Sequence, residues 1–336
     1  MTRPHRAAAS FIGAMTHPHR AVASLIGVMT RAQRLAVCFI GVALAGTQAV
    51  AAPAAGATGA VLPDPYAGSA HAYLVQTDDV DRFGARIDTP LPAASLGKMM
   101  TALLVAEARP DAGVVTTISP TAVAAGGARL GLRAGERIDV ESLLAAMLLR
   151  SANDSCVALA EWQAGSERAF VARMNARAVA LGLAGTHFVN ACGFDATGQH
   201  STARDLLVLA RRVLAQPVLA ALVRRETMTI ATRGGRRFAL RNTNALLGRV
   251  PGVIGVKTGY TRKAGTCLVV IAERKGRRVY VALLGAGDRW WDAAAMIERA
   301  FDADVHAGVD ARTGVDDHAH AHTGVDVRTD ADPRAR

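Results

Sequence analysis

Pro92-Ala93-Ala94-Ser95-Leu96-Gly97-Lys98-Met99-Met100-Thr101-Ala102-Leu103-Leu104 is the stretch on which the reading turns. Thr89-Pro90-Leu91-Pro92 leads into it, and prolines at that spacing hold the chain extended. A helix is predicted to start near Ser95, with Met99, Met100, Leu103 and Leu104 forming its apolar face. Ser95 and Lys98 then lie one turn apart on one face. A serine hydroxyl is a poor nucleophile until a base takes its proton. Lysine is such a base only when neutral, which requires desolvation or a neighbouring cation. The Ser95 amide, unpaired at a helix start, is placed to face a developing oxyanion. Standing alone, the same four residues read as a capping serine followed by an exposed lysine.

Two further strings follow in order, Ser151-Ala152-Asn153 and Lys257-Thr258-Gly259. The first comes after a helix built on Leu143, Leu144, Met147 and Leu148, which Asp139 is placed to cap. A second serine there passes a proton to a leaving amine. An asparagine amide bonds both a catalytic lysine and a substrate carbonyl. The second string reads as a strand at a cleft edge. Lys257 and Thr258 present a cation and a hydroxyl to a substrate carboxylate. Lys257 also supplies the cation that Lys98 needs. Gly259 admits close approach of backbone and substrate, and the Tyr260 amide is the candidate second oxyanion donor. Each string alone is better explained as a polar helix connection or a surface strand; the three in order make the signal. This chemistry calls for no cofactor and no metal.

The rest of the chain frames these motifs. His71 to Gln76 reads as a strand ending in a turn at Asp78-Asp79. Gly126 to Gly135 and Phe188 to Gln199 read as irregular segments, and Ser201-Thr202 as a cap for a helix built on Leu206, Leu207, Leu209 and Val213. Thr266 to Ala272 and Arg278 to Leu284 form a hairpin around Lys275-Gly276, and Trp291 to Phe301 a closing helix. A strand, a helical block, antiparallel strands and a last helix predict an α/β (α+β) architecture with helices on both faces of a sheet.

The amino terminus reads as an export signal. Arg31 and Arg34 precede the apolar run Leu35 to Gly46, and Ala49-Val50-Ala51 fits a cleavage site after Ala51. The run is short for a membrane span, so no firm membrane anchor is expected after cleavage. The first 42 residues repeat with a 14-residue period, in register at Met1, Met15 and Met29, consistent with a duplicated coding segment in which Met29 suffices as a start. The expected organisation is a targeting segment over 1–51, an Ala/Gly-rich linker over 52–64, a catalytic domain over 65–305 and a low-complexity tail over 306–336. Alternating His318, His320 and His322 in that tail lack a preorganised metal site.

Composition narrows the partners. The net charge is +11, of which the signal segment supplies five arginines and no acid. Basic residues are scattered and aromatics make up 4%, too few for the stacking platforms of a nucleic-acid binder. A polyanionic wall or acidic surface is the fairer match. Outside the signal, Cys156, Cys192 and Cys267 form no C-x-x-C pair and read as three small core residues, with at most one disulfide among them.

The residues around the motifs narrow the reading further. PAASLGKMMTALL (92–104), LLRSANDSCVALAE (148–161), STARDL (201–206), NTNALL (242–247) and GVKTGYTRKAGTCL (255–268) closely resemble the D-alanyl-D-alanine carboxypeptidases, low-molecular-mass penicillin-binding serine peptidases. The resemblance spans about Tyr66 to Phe301. It implies the β-lactamase/transpeptidase-like fold, an antiparallel sheet beside a helical cluster with the cleft between them. It also implies roles. Ser95 would be acylated by the penultimate D-alanine of a peptidoglycan stem peptide, with Lys98 as base, and β-lactams would acylate it as covalent inhibitors. Ser151 and Asn153 would relay the proton and position substrate. Lys257 and Thr258 would bind the terminal carboxylate, assisted by Arg289 in GAGDR (285–289). Where the family commonly has threonine, this chain has Gly97, which inside a helix costs about 1 kcal/mol relative to alanine. No additional β-rich domain or amphipathic anchor of the family's kind is expected after Phe301, as in relatives that act as D,D-endopeptidases. That leaves a periplasmic carboxypeptidase with a cross-link endopeptidase as the alternative. A class A β-lactamase needs a glutamate in a loop after the second motif. Gly182 to Thr202 contains none, and Glu161 and Glu167 read as solvated helix residues. A non-catalytic wall-binding protein would not need every motif residue.

Overall fold

The computed structural model describes residues 64–313, with side chains through residue 303. The expected signal segment, the repeats, nearly all of the expected linker and most of the expected tail lie outside those residues. The chain opens with strands β1 (Ala70–Thr77) and β2 (Val80–Ala85). A 3-10 turn over Ala94–Gly97 then enters helix α1 (Lys98–Glu107). Next come β3 (Val115–Thr117), α2 (Pro120–Val123), β4 (Arg137–Asp139), α3 (Val140–Leu149), α4 (Asn153–Ala164) and α5 (Glu167–Ala180). Helices α6 (Ala203–Leu214) and α7 (Pro217–Val223) precede a small hairpin of β5 (Thr227–Ala231) and β6 (Arg237–Arg241). Strands β7 (Val253–Thr261), β8 (Gly265–Arg274) and β9 (Arg277–Ala286) and helix α8 (Arg289–Thr313) complete it.

The main sheet is antiparallel in the order β2-β1-β9-β8-β7. Its central strands are buried on both faces, which explains their nearly unbroken apolar runs. Leu268, Val270 and Ala272 of β8, with Val279, Val281 and Leu283 of β9, pack against Ala293, Met296, Ile297 and Ala300 of α8. Those four positions recur at the spacing of one helix face. The alternate residues, Val269, Ile271, Tyr280, Ala282 and Leu284, join the larger core shared with the helical cluster. Lys275 and Gly276 both have positive φ, the backbone that a tight two-residue hairpin requires. This is the α+β layering that the sequence predicts.

Several local expectations are corrected. The α-helix begins at Lys98 rather than Ser95, so Ser95 sits in the 3-10 turn, preceded by Ala94 in the left-handed region. Gly97 therefore occupies the N-cap of α1 and does not carry the mid-helix glycine cost. Helix α1 has no polar face: Lys98 through Ala106 are all buried, because sheet and helices enclose it. Asp139 precedes α3 but makes no capping bond; its carboxylate pairs with Arg233. Thr202 does cap α6, accepting from the Asp205 amide at 3.0 Å. Helix α8 runs on to Thr313, past the 305/306 boundary, since each added residue extends an existing ladder by one bond.

The cysteines differ most. Cys156 and Cys192 are joined by a disulfide, with Cα atoms 5.9 Å apart, and Cys267 is free and buried. Two cysteines far apart in sequence carry no signal of their pairing. The bond closes a separation of 36 residues, for which chain entropy gives about 4 kcal/mol of stabilisation. Reduction is expected to lower Tm by about 10 °C in differential scanning calorimetry. An unchanged Tm after complete reduction would show that the bond adds nothing to stability.

Candidate active site

The 3-10 turn and β7 meet edge to edge, and this contact builds the site. A Cβ on Gly259 would stand 3.1 Å from the Ala93 carbonyl and 3.2 Å from the Ser95 amide nitrogen. A side chain here would push the two backbones a few tenths of an ångström apart, so Gly259 seats β7 close against the Ser95 turn. Gly193 does the same from the other side. Its φ is +81, and a Cβ there would fall 1.9 Å from the Ala94 carbonyl oxygen. Between these two backbones Ser95 faces a cleft of about 560 Å³, also lined by Ser151, Asn153, Thr258, Tyr260 and Arg289. Six of the nine residues that the sequence singles out thus line one cavity, and Gly259 makes the seventh.

Lys98 is wholly buried beneath Ser95 and is hydrogen-bonded to its Oγ at 2.8 Å. It also donates to the Cys192 carbonyl. Its pKa is driven well below the usual lysine value, first by burial and then by the charge of Lys257. That produces the neutral amine a base must be. Lys257 is buried as well, lies just behind the cleft wall, and donates to the Thr258 carbonyl at 2.9 Å. Burial, with Arg289 nearby, lowers its pKa to about 7. A substrate carboxylate brought to this wall favours its protonated form.

The Thr258 end of the cleft holds more than the sequence indicates. The Thr243 and Thr258 hydroxyls are 2.7 Å apart, and the Thr243 amide donates to the Leu149 carbonyl at 2.9 Å, tying this loop to the second-motif helix pair. Arg289, at the first turn of α8, donates to the Gly259 carbonyl at 2.8 Å and stacks on Trp290. Thr243 stands in the NTNALL stretch but belongs to none of the three strings, so no role for it is legible there.

Ser151 reaches the cleft because its φ is +59, a left-handed turn between the end of α3 and the start of α4. Asn153 departs from expectation. Its Nδ2 donates to the Gly126 carbonyl at 2.6 Å, and its buried Oδ1 has no partner. The free atom is thus an acceptor, suited to a substrate N–H rather than a carbonyl. Neither Glu161 nor Glu167 is merely solvated. Glu161 accepts from Ser119 Oγ at 2.6 Å, and Glu167 accepts from the Ala191 amide at 2.9 Å, bracing the 188–199 segment. Neither lines the cleft.

A family model described as D-alanyl-D-alanine carboxypeptidase matches residues 77–288. The chain belongs to this family. It is 35% identical over 219 residues to D-alanyl-D-alanine carboxypeptidase DacF of Bacillus subtilis, covering 63% of this chain and 56% of that one. It is 34% identical over 243 residues to the D-alanyl-D-alanine endopeptidase of Escherichia coli, covering 71% and 77%. The chain spans little more than half the length of several carboxypeptidases it matches, among them DacF and E. coli DacD at 52%. Among solved structures, the Streptomyces K15 DD-transpeptidase superposes with a TM-score of 0.66 at 28% identity, covering 70% of this chain and 97% of that one. DacD of Francisella tularensis gives 0.66 at 25% identity, covering 72% of each.

Two outcomes follow from this geometry. Gly97→Ala is expected to be tolerated, because its Cβ meets only ordinary contacts, the nearest at 3.6 Å on Phe188. Gly193→Ala is expected to abolish Ser95 reactivity towards a fluorescent penicillin, and equal labelling of the two variants would contradict the packing described. Lys257→Gln removes the cation that helps hold Lys98 neutral, so the Lys98 pKa rises. The acidic limb of the labelling-rate profile, where Lys98 gains its proton as pH falls, is then expected to move to higher pH. An unmoved limb would separate Lys257 from the base.

Proposed function

We propose that this chain is an exported serine D-alanyl-D-alanine carboxypeptidase that removes the terminal D-alanine from peptidoglycan stem peptides. The observation that carries the reading is the buried Lys98 amine 2.8 Å from Ser95 Oγ. Lys98 takes the hydroxyl proton as Oγ bonds to the carbonyl carbon of the penultimate D-alanine. The oxyanion is received by the Ser95 amide and, on β7, by the Tyr260 amide. The peptide bond then breaks, and the proton passes through Ser151 to the leaving D-alanine amine. Arg289, Thr258 and Thr243 hold the terminal carboxylate, with Lys257 adding charge from behind the wall. Asn153 Oδ1 accepts from an N–H of the acyl-side peptide. Water attacks the Ser95 ester, regenerating the hydroxyl and releasing the shortened peptide. Penicillin, whose β-lactam presents a strained amide beside a carboxylate, enters the same steps and stops at the ester.

A second reading has a specific support: the E. coli D-alanyl-D-alanine endopeptidase matches over 77% of its own length, a larger share than DacF or DacD. The same residues would then cut the D-alanyl bond of a cross-link, with a second stem peptide as leaving group. Export rests on the sequence before Ala52, and a periplasmic site of action accords with a wall substrate. Amino-terminal sequencing of the mature protein tests it, with Ala52 expected as the first residue.

The deciding experiment incubates the protein with a pentapeptide stem and with a cross-linked dimer. Free D-alanine from the pentapeptide is expected. Monomer release from the dimer without free D-alanine would assign the endopeptidase reading. Ser95→Ala is expected to lose both activities and covalent penicillin labelling, a fall on the order of 10⁴-fold or more in rate. Labelling that survives Ser95→Ala would overturn the mechanism.

A further inference from the structure

The Cys192 carbonyl stands in the active site for a reason that the three motifs do not contain. It accepts one of the Lys98 N–H bonds. A neutral amine has two N–H bonds and one lone pair. Committing an N–H to a fixed carbonyl on one side leaves the lone pair and one N–H for the other side, where the Ser95 hydroxyl, as it donates its proton, takes the lone pair. The position of that carbonyl therefore sets the direction in which Lys98 acts as a base.

The carbonyl belongs to an irregular segment, 188–199, with no ladder to hold it. Asn190 Oδ1 accepts from the amides of Gly193 at 2.8 Å and Phe194 at 2.9 Å, and Thr101 Oγ donates to the Ala191 carbonyl at 2.7 Å. The covalent tie is the disulfide from Cys192 to Cys156. Cys156 lies on α4, three residues after Asn153 and on the same helix face. The bond is buried at both ends, and Cys192 itself lines the cleft. One covalent bond thus joins the residue that orients the base to the helix that carries the second motif.

We propose that the Cys156–Cys192 disulfide is a positioning element for the Ser95–Lys98 pair, fixing the Cys192 carbonyl so that the Lys98 lone pair faces the serine hydroxyl. The inference rests on the reading of Ser95 as nucleophile and Lys98 as base. Neither cysteine touches the reacting atoms through its side chain. Both act through the Cys192 carbonyl.

The test follows penicillin acylation of the full-length protein by stopped flow, separating the non-covalent binding constant from the first-order acylation rate constant. Dithiothreitol supplies two electrons and two protons to the disulfide, giving two thiols and its own cyclic disulfide. Peptide mapping after maleimide tagging verifies the state of Cys156 and Cys192. Reduction is expected to lower the acylation rate constant about tenfold or more, as small displacements of catalytic groups do, with the binding constant unchanged. Reoxidation is expected to restore the rate. The double variant Cys156→Ser/Cys192→Ser is expected to show the low rate with or without dithiothreitol. A bond that served stability alone would lower Tm and leave the rate constant, measured well below Tm, where it was. That result overturns the proposal, as does a folded active protein whose two cysteines tag as thiols before any reductant is added. Should the double variant fail to fold, the reduction and reoxidation of the wild type decide alone. Absence of acylation in the oxidised protein would instead overturn the Ser95–Lys98 reading itself, and this inference with it.

Discussion

Everything in the site depends on one buried amine. Lys98 is enclosed by the 3-10 turn, the helical cluster and β7, and it has water on no side. A charged ammonium in that place carries a heavy desolvation cost, and the buried Lys257 beside it raises the cost further. The fold thus favours the neutral amine at Lys98 by withholding solvent. The two hydrogen bonds it makes, to Ser95 Oγ and to the Cys192 carbonyl, then set its direction. Burial keeps the lone pair free of a proton, and the carbonyl and hydroxyl supply the aim.

The architecture follows from what that enclosure requires. A lysine at the start of a helix is normally solvated, so α1 must be surrounded, and its residues after Lys98 are apolar through Ala106 apart from Thr101. The sheet must come close enough to close the remaining side, and Gly259 and Gly193 permit that approach where any side chain would hold the backbones apart. The turn that carries Ser95 is bent by left-handed Ala94, and the turn that carries Ser151 is itself left-handed. Such conformations cost on the order of 1–3 kcal/mol each and persist because the surrounding packing over-determines them.

The three strings and the elements carrying them were legible in the sequence because their signals are local: proline and glycine punctuation, helical spacing of apolar residues, and alternation in the last strands. Arg289 was legible through the residues around it. What escaped the sequence depends on contacts between distant segments. The pairing of Cys156 with Cys192, the role of the Cys192 carbonyl and the Thr243–Thr258 bond have no local pattern. Asp139 illustrates the converse: its spacing fits a cap, yet the side chain turns to Arg233, a partner 94 residues away. Asn153 shows the limit of reading a residue from its string, since which of its amide atoms remains free is decided by the Gly126 carbonyl.

The chain contains four lysines, Lys98, Lys257, Lys263 and Lys275, so their side chains can be followed individually. The most direct test of the central claim is a ¹³Cε-lysine NMR titration of the folded protein, with Lys98 and Lys257 assigned by substitution. The expected result is a Lys98 signal that titrates far below an ordinary lysine and is that of a neutral amine at pH 7. A Lys98 signal that titrates near 10.5, the ordinary lysine value, would contradict the account.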